Sequence, residues 1–188
     1  ADTLYGFIGG DVMLGGGGND LVLGEQGDDI ASGDGGDDVV IGALGNDTLF
    51  GGGERDLVLG EEGNDLLTAG TGASTLRGAV GNDSLVGLGG DDLLFGADGA
   101  DSAIGGGGRD QVFGEAGNDT LRGQEEDDLV EGGIGQDAVF GDAGEDRAQG
   151  GDGDDLVDGG GGNDLLLGND GADTLLGVAA DDPHRAET

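Results

Sequence analysis

Gly42-Ala43-Leu44-Gly45-Asn46-Asp47-Thr48-Leu49-Phe50 is the clearest copy of a nine-residue unit that recurs along the chain. The unit reads G-x-x-G-x-D-x-U-x, where U is aliphatic, and its residues are numbered here as positions 1 to 9. Asp stands at position 6 in every unit from Asp2 to Asp182 except at Ser74, and no insertion breaks the phase. A fixed period of this kind indicates a repeat architecture, in which each unit packs on its neighbours.

Each unit divides into a turn and a short strand. Glycine at positions 1 and 4 suits a positive φ or a close approach of backbones, so positions 1 to 6 are predicted to form a turn. Positions 7 to 9 alternate outward, inward and outward, which is a minimal β-strand with U facing inward. Two units then make one 18-residue coil with two strands and two turns. We predict an all-β fold, a parallel β-solenoid of about ten coils.

The position-6 residues form two columns in such a solenoid, because residues 18 apart lie about 4.8 Å above one another. The first column is Asp2, Asp20, Asp38, Asp56, Ser74, Asp92, Asp110, Asp128, Asp146, Asp164 and Asp182. The second column is Asp11, Asp29, Asp47, Asp65, Asp83, Asp101, Asp119, Asp137, Asp155 and Asp173. Carboxylates at this spacing repel each other by roughly 1 kcal/mol per pair in water and by more when desolvated. The columns therefore require cations.

Calcium is the cation that the oxygen ligands of these columns favour. Carboxylate and carbonyl oxygens are hard ligands, and Mg²⁺ fits a site with many backbone ligands less well than Ca²⁺. The columns contain seventeen neighbouring Asp–Asp pairs, so we expect up to about 17 calcium ions, whose charge would nearly balance the formal charge of -36. The predicted ligands are Asp11, Asp20, Asp29, Asp38, Asp47, Asp56, Asp65, Asp83, Asp92, Asp101, Asp110, Asp119, Asp128, Asp137, Asp146, Asp155, Asp164 and Asp173.

Composition excludes several classes of protein. The 188 residues include 50 Gly and 42 acidic residues against six basic ones, all of them Arg, with no Cys. Without Lys or Cys there is no P-loop, Schiff base, thiolate chemistry or disulfide. The negative charge repels nucleic acids and anionic membranes, and no apolar run is long enough to span a bilayer. Every pair of carboxylates is explained by the repeat, so we predict that the chain is not an enzyme.

The repeat resembles the calcium-binding nonapeptides of the RTX, or haemolysin-type, family, whose consensus is G-G-x-G-x-D-x-U-x. The resemblance implies a right-handed parallel β-roll over residues 1–177, followed by a short polar tail over 178–188. It also implies calcium between successive turns at both edges. The expected context is a secreted bacterial protein, exported unfolded by type I secretion and folded by calcium outside the cell or at its surface. This chain would then be the repeat region of something larger.

The sequence departs from the consensus at identifiable turns. Position 2 is often not glycine, as at Phe7 and Glu25, and this variation is tolerated if φ is negative there. The first column carries further changes: Ser74 replaces Asp, and Glu54 and Glu126 replace glycine at position 4. We expect weak or empty calcium sites beside Ser74, and a glutamate at position 4 is expected to be a cost more often than an extra ligand. The second column is expected to be more regular.

The outward positions suggest a second kind of partner. Positions 7 and 9 after the first column are rich in large aliphatic residues, which predicts an exposed apolar face that includes Leu21, Val39, Leu57, Leu93 and Leu165. Such a face commonly marks self-association or a neighbouring domain. An alternative function is therefore a structural, calcium-dependent filament, surface-layer or adhesin element that assembles through its coil ends or this face. A designed array also remains open, since the repeat has no insertion or deletion.

Overall fold

Backbone pairing with an offset of 18 residues organises residues 1–177. Leu4 pairs with Val22, Val22 with Val40 and Val40 with Val58, and the same offset continues until Asp158 pairs with Leu176, after which Gly160 pairs with Gly177. All of these pairings are parallel. The computed structural model describes residues 1–177, which form two ten-stranded parallel sheets. The predicted all-β solenoid of about ten coils is confirmed.

Odd-numbered strands form one sheet and even-numbered strands form the other. Sheet A contains β1 (Thr3–Ile8), β3 (Leu21–Gln26), β5 (Val39–Leu44), β7 (Leu57–Glu62), β9 (Thr75–Val80), β11 (Leu93–Asp98), β13 (Gln111–Ala116), β15 (Leu129–Ile134), β17 (Arg147–Asp152) and β19 (Leu165–Asp170). Sheet B contains β2 (Val12–Gly17), β4 (Ile30–Gly35), β6 (Thr48–Gly52), β8 (Leu66–Gly70), β10 (Ser84–Gly89), β12 (Ser102–Gly107), β14 (Thr120–Glu125), β16 (Ala138–Ala143), β18 (Leu156–Gly160) and β20 (Thr174–Gly177). The first-column turns lead into sheet A and the second-column turns into sheet B.

The core is a double row of position-8 side chains between the two sheets. Val22, Val40 and Val58 of sheet A and Leu49 and Leu67 of sheet B have no exposed surface. Full burial of a side chain of this size stabilises the fold by roughly 1.5–3 kcal/mol. Positions 7 and 9 on either side are more exposed, so the predicted alternation of outward and inward residues is confirmed.

The strands are longer than the three residues expected from the repeat. β3, for example, continues from Leu21 through Gln26 and so includes the first three positions of the next unit. Phe7 still pairs with Glu25, and Ile8 with Gln26. The expectation of a three-residue strand is wrong because identical turns stack in register, which lets backbone pairing continue past the aliphatic position.

The predicted polar tail and Asp182 lie outside the described residues. Within residues 1–177 the structure has no helix of the length and apolarity needed to cross a membrane.

Candidate metal sites

The position-6 carboxylates lie in two stacks, one at each edge between the sheets. In each stack one carboxylate oxygen, Oδ1, accepts the backbone N–H of the position-6 residue one coil earlier. Asp47 N–H donates to Asp65 Oδ1 at 2.8 Å, and Asp65 N–H donates to Asp83 Oδ1 at 2.8 Å. The ladder passes through Ser74, whose hydroxyl accepts Asp56 N–H at 3.1 Å. The position-6 side chain therefore has a structural role in joining successive coils.

The second carboxylate oxygen, Oδ2, has no hydrogen-bond partner at most of these positions although it is buried. A buried polar atom without a partner is costly, and a charged one is more so. In the described part of the chain, fifteen such oxygens are therefore available to a cation or a proton. They belong to Asp20, Asp29, Asp38, Asp47, Asp56, Asp65, Asp83, Asp92, Asp101, Asp110, Asp119, Asp128, Asp137, Asp146 and Asp155.

Burial raises the pKa of many of these carboxyl groups. Desolvation is the largest cause; it raises the pKa of Asp83 to about 6 and that of Asp128 to about 7. The backbone N–H that each group accepts lowers its pKa, and neighbouring carboxylates raise it again. Without a cation, the stacks hold carboxyl groups that resist ionisation near neutral pH.

Glycine at position 1 makes room for Oδ2. A Cβ at Gly42 would collide with Asp47 Oδ2, and a Cβ at Gly78 would collide with Asp83 Oδ2. Ala69 is the exception among the described turns, and it belongs to the unit in which Ser74 replaces aspartate. Serine has no second oxygen, so the alanine methyl group meets none. The two departures from the consensus are therefore one coupled change.

Backbone carbonyls supply the remaining hard oxygens at the edges. The carbonyl oxygen of Gly45, at position 4, lies against the α-carbon of Gly63 one coil later, where a Cβ would overlap it. In residues 1–177 no three side chains of His, Cys, Asp or Glu converge to hold a metal ion. A calcium ion at these edges would therefore take a few carboxylate oxygens and several carbonyl oxygens. This donor set suits Ca²⁺, which takes six to eight oxygen ligands.

The variable position 2 adopts the left-handed conformation. The expectation that residues other than glycine are tolerated there because φ is negative is therefore wrong. Its φ lies between 70° and 90° at twelve non-glycine residues. The turn geometry is imposed by stacking on the coils above and below, at a cost of about 1 kcal/mol per residue. The twelve residues are Phe7, Glu25, Asp34, Ala43, Glu61, Ala79, Leu88, Ala97, Glu115, Gln124, Asp142 and Asn169.

The two glutamates at position 4 have different surroundings. Glu54 Oε2 accepts the backbone N–H of Gly36 at 2.9 Å, so this carboxylate joins its own turn to the turn one coil earlier at the same edge. Glu126 is exposed and has a φ of 78°, which makes it a strained replacement for glycine. Whether either side chain ligates calcium stays a prediction.

A second ladder, at position 5, was not predicted from the sequence. Here the side-chain oxygen accepts the backbone N–H of position 5 in the following coil, as Asn46 does from Asn64 at 2.8 Å and Asn64 does from Asn82 at 2.7 Å. Its direction is opposite to that of the Asp ladder, so each turn is fastened to both neighbours. The recurrence of Asn or Asp before the position-6 Asp was the signal for it.

All eighteen predicted ligands lie in the two stacks, and their binding of calcium stays a prediction. The stacked turns, buried carboxylates and position-1 and position-4 glycines define a calcium-type repeat solenoid. Comparison with protein families agrees: the profile described as RTX calcium-binding nonapeptide repeat (4 copies) matches overlapping segments between residues 1 and 175. The chain belongs to this family. A comparison with proteins of curated description found no match.

Proposed function

We propose that the chain is a calcium-binding repeat domain that is unfolded without calcium and folds when ions bind between successive turns at both edges. The observation that carries the proposal is the set of fifteen buried Oδ2 atoms without a partner. Hydrogen bonding of the backbone accounts for Oδ1 and leaves Oδ2 without a structural role.

Electrostatics supports the coupling of binding to folding. Each coil brings two more buried carboxyl groups close to those of its neighbours, and this arrangement exists only in the folded chain. Calcium would bind the folded state and not the dispersed carboxylates of the unfolded state, so binding free energy becomes folding free energy. The chain's own part is to place two carboxylate stacks and a series of carbonyl oxygens at fixed intervals.

A calcium titration followed by far-ultraviolet circular dichroism tests the proposal. We expect little β signal in chelator and a cooperative gain of β signal as calcium rises into the range of extracellular modules, about 0.1–1 mM. Magnesium at the same concentration is the control, and it should give little or no folding because it dehydrates reluctantly and demands octahedral geometry. The same β signal in chelator and in calcium at pH 8 would contradict the proposal.

The proposed setting is a secreted or cell-surface bacterial protein, in which export of the unfolded chain by type I secretion precedes folding in external calcium. Its support is that RTX repeats usually occur in secreted bacterial proteins. The proposed role is binding and folding, not catalysis.

A further inference from the structure

The residues on the outer face of sheet A change along the roll from aliphatic to charged and aromatic. This face consists of the position-7 and position-9 side chains of the odd-numbered strands. From β3 to β7 both positions carry aliphatic residues, such as Leu21, Ile41 and Leu59, which are half-buried. Four consecutive strands, β9 to β15, then carry Arg77, Phe95, Phe113 and Glu131 at position 9. Strand β17 carries Arg147 and Gln149, and aliphatic residues return at Leu165 and Leu167 in β19.

The four position-9 residues form a row with opposite charges at its ends. Strand register places Arg77 beside Phe95, Phe95 beside Phe113 and Phe113 beside Glu131. The two phenylalanine rings stack with centroids 5.3 Å apart. Arg77 is exposed and makes none of the ion pairs found in residues 1–177. The row thus has the order cation, ring, ring, anion.

This order is self-complementary under one particular symmetry. A two-fold axis that lies parallel to the strands, between β11 and β13, brings two copies face to face with their coil order reversed. Phe95 of one copy then faces Phe113 of the other, and Arg77 faces Glu131. The same operation places Ile41 opposite Leu167 and Leu59 opposite Gln149, so aliphatic residues meet where β5 faces β19, and a polar side chain faces β7. An isologous dimer requires self-matching of this kind.

A groove receives the arginine in this arrangement. It is an open groove lined by Phe113, Glu115, Glu131, Gly132 and Gly133. An aromatic face beside two carboxylates suits a guanidinium group, through cation–π attraction and charge pairing. Arg77 of a second copy is the cation that the two-fold operation brings over this groove.

We propose that the outer face of sheet A is the interface of a two-fold symmetric dimer of this chain, in which Arg77 of each copy enters the groove between Phe113 and Glu131 of the other. The inference rests on the proposed function, because the face exists only in the folded roll and two chains of charge -36 repel each other unless calcium neutralises them. The face is about one strand length wide and roughly 40 Å long, so the interface is small and the dimer is expected to be reversible.

Sedimentation velocity in calcium, across a concentration series, tests the dimer. The mass should rise from 18.2 kDa towards twice that value as concentration increases. Arg77→Glu and Glu131→Arg should each weaken dimerisation at least about tenfold, because each places like charges opposite one another. The two variants mixed in equal amounts should form heterodimers, since each cation again faces an anion. The double variant R77E/E131R should also recover dimerisation with itself.

Matched controls separate this outcome from general effects of charge and from misfolding. Ser102→Glu adds a carboxylate at an exposed outward position of sheet B and should leave dimerisation unchanged. Circular dichroism of every variant in calcium establishes that the roll has formed. A folded wild-type chain that stays monomeric would overturn the dimer alone. Dimers insensitive to both charge reversals, such as those formed through coil ends, would also overturn it. A chain that does not fold in calcium would overturn the proposed function and the dimer with it.

Discussion

The turns at the two edges of the roll differ in their backbone hydrogen bonds. At the second-column edge the position-4 N–H donates to the position-3 carbonyl of the next coil at all nine turns from Gly9 to Gly153, over 2.7–2.9 Å. At the first-column edge, within residues 1–177, Gly18, Gly90 and Gly144 make this bond. Position 4 is also outside the left-handed region at Glu54, Gly72 and Gly144, all in the first column. The first edge is therefore the less regular one, as the sequence predicted.

The Asp ladder persists at both edges in spite of this difference. Within residues 1–177 both columns keep the bond from backbone N–H to Oδ1 in every coil, including the coil where the Ser74 hydroxyl takes the place of Oδ1. At Ser74 the second oxygen is lost and the position-1 glycine is replaced with it. The comparison separates two roles of one side chain: Oδ1 joins the coils, and Oδ2 is the candidate calcium ligand.

Lowering the pH should fold the calcium-free chain, because the carboxyl groups at both edges have raised pKa values. This is the largest effect that we expect. Folding raises the pKa of Asp47 and Asp119 to about 6 and those of Asp92 and Asp128 to about 7, from an unfolded value near 4. Each raised pKa stabilises the fold fully below the unfolded value, and this contribution is lost as pH rises through 6 to 7. Circular dichroism in chelator should show β signal at pH 5 that is absent at pH 8. Equal signals at both values would contradict the pKa shifts.

Asp101→Asn should separate the two roles at the regular edge. Asparagine keeps an oxygen for the N–H of Asp83 but replaces the anionic Oδ2. In calcium the variant should lose two bound ions and be less stable by about 1–3 kcal/mol. In chelator its acid-induced folding should extend to higher pH than that of the wild-type chain, because one buried group that resists ionisation is gone. Denaturant unfolding in calcium measures the first effect, and circular dichroism against pH in chelator measures the second. Asp56→Asn, beside Ser74, is the matched variant and should lose fewer ions. Destabilisation in calcium combined with a lower pH midpoint of folding in chelator would assign only a structural role to the Asp101 carboxylate.

Repair of the first column requires two substitutions together. Ser74→Asp alone should destabilise the roll, because the new Oδ2 meets the methyl group of Ala69. The pair A69G/S74D should instead add two calcium ions and lower the calcium midpoint of folding severalfold. Calcium titrations of both single variants and the pair provide the double-mutant cycle. Additive effects in that cycle would refute the coupling between positions 1 and 6.

Removing one bond of the position-5 ladder should give the smallest difference between the edges in the calcium midpoint of folding. Asn64 accepts its bond at 2.7 Å at the second edge, and Asn19 accepts one at 3.3 Å at the first. We expect Asn64→Ala to raise the calcium midpoint of folding roughly two- to threefold and Asn19→Ala to raise it less, because the bonds are exposed. Titrations of the two variants side by side measure the difference. A larger effect of Asn19→Ala would contradict the ranking of the edges.

The fold and the positions of the carboxylates were predictable from the sequence because the repeat has a strict period. A nine-residue phase with an aliphatic residue at position 8 fixes the coil, the core and both Asp columns. The repeat does not encode the backbone conformation at the variable positions. The positive φ at Phe7 and Glu25 is imposed by neighbouring coils and has no residue signature, and the length of the strands follows from stacking in register. The orientation of the position-5 oxygens likewise depends on the assembled turns.

The central claim is that the stacked Oδ2 atoms hold calcium, and the number of ions bound at saturation tests it most directly. Equilibrium dialysis of the whole chain in millimolar calcium, with the bound metal counted against protein concentration, gives this number. The account predicts about 17 ions, one for each neighbouring Asp–Asp pair of the two columns. A folded chain that binds no calcium, or only one or two ions, would contradict it.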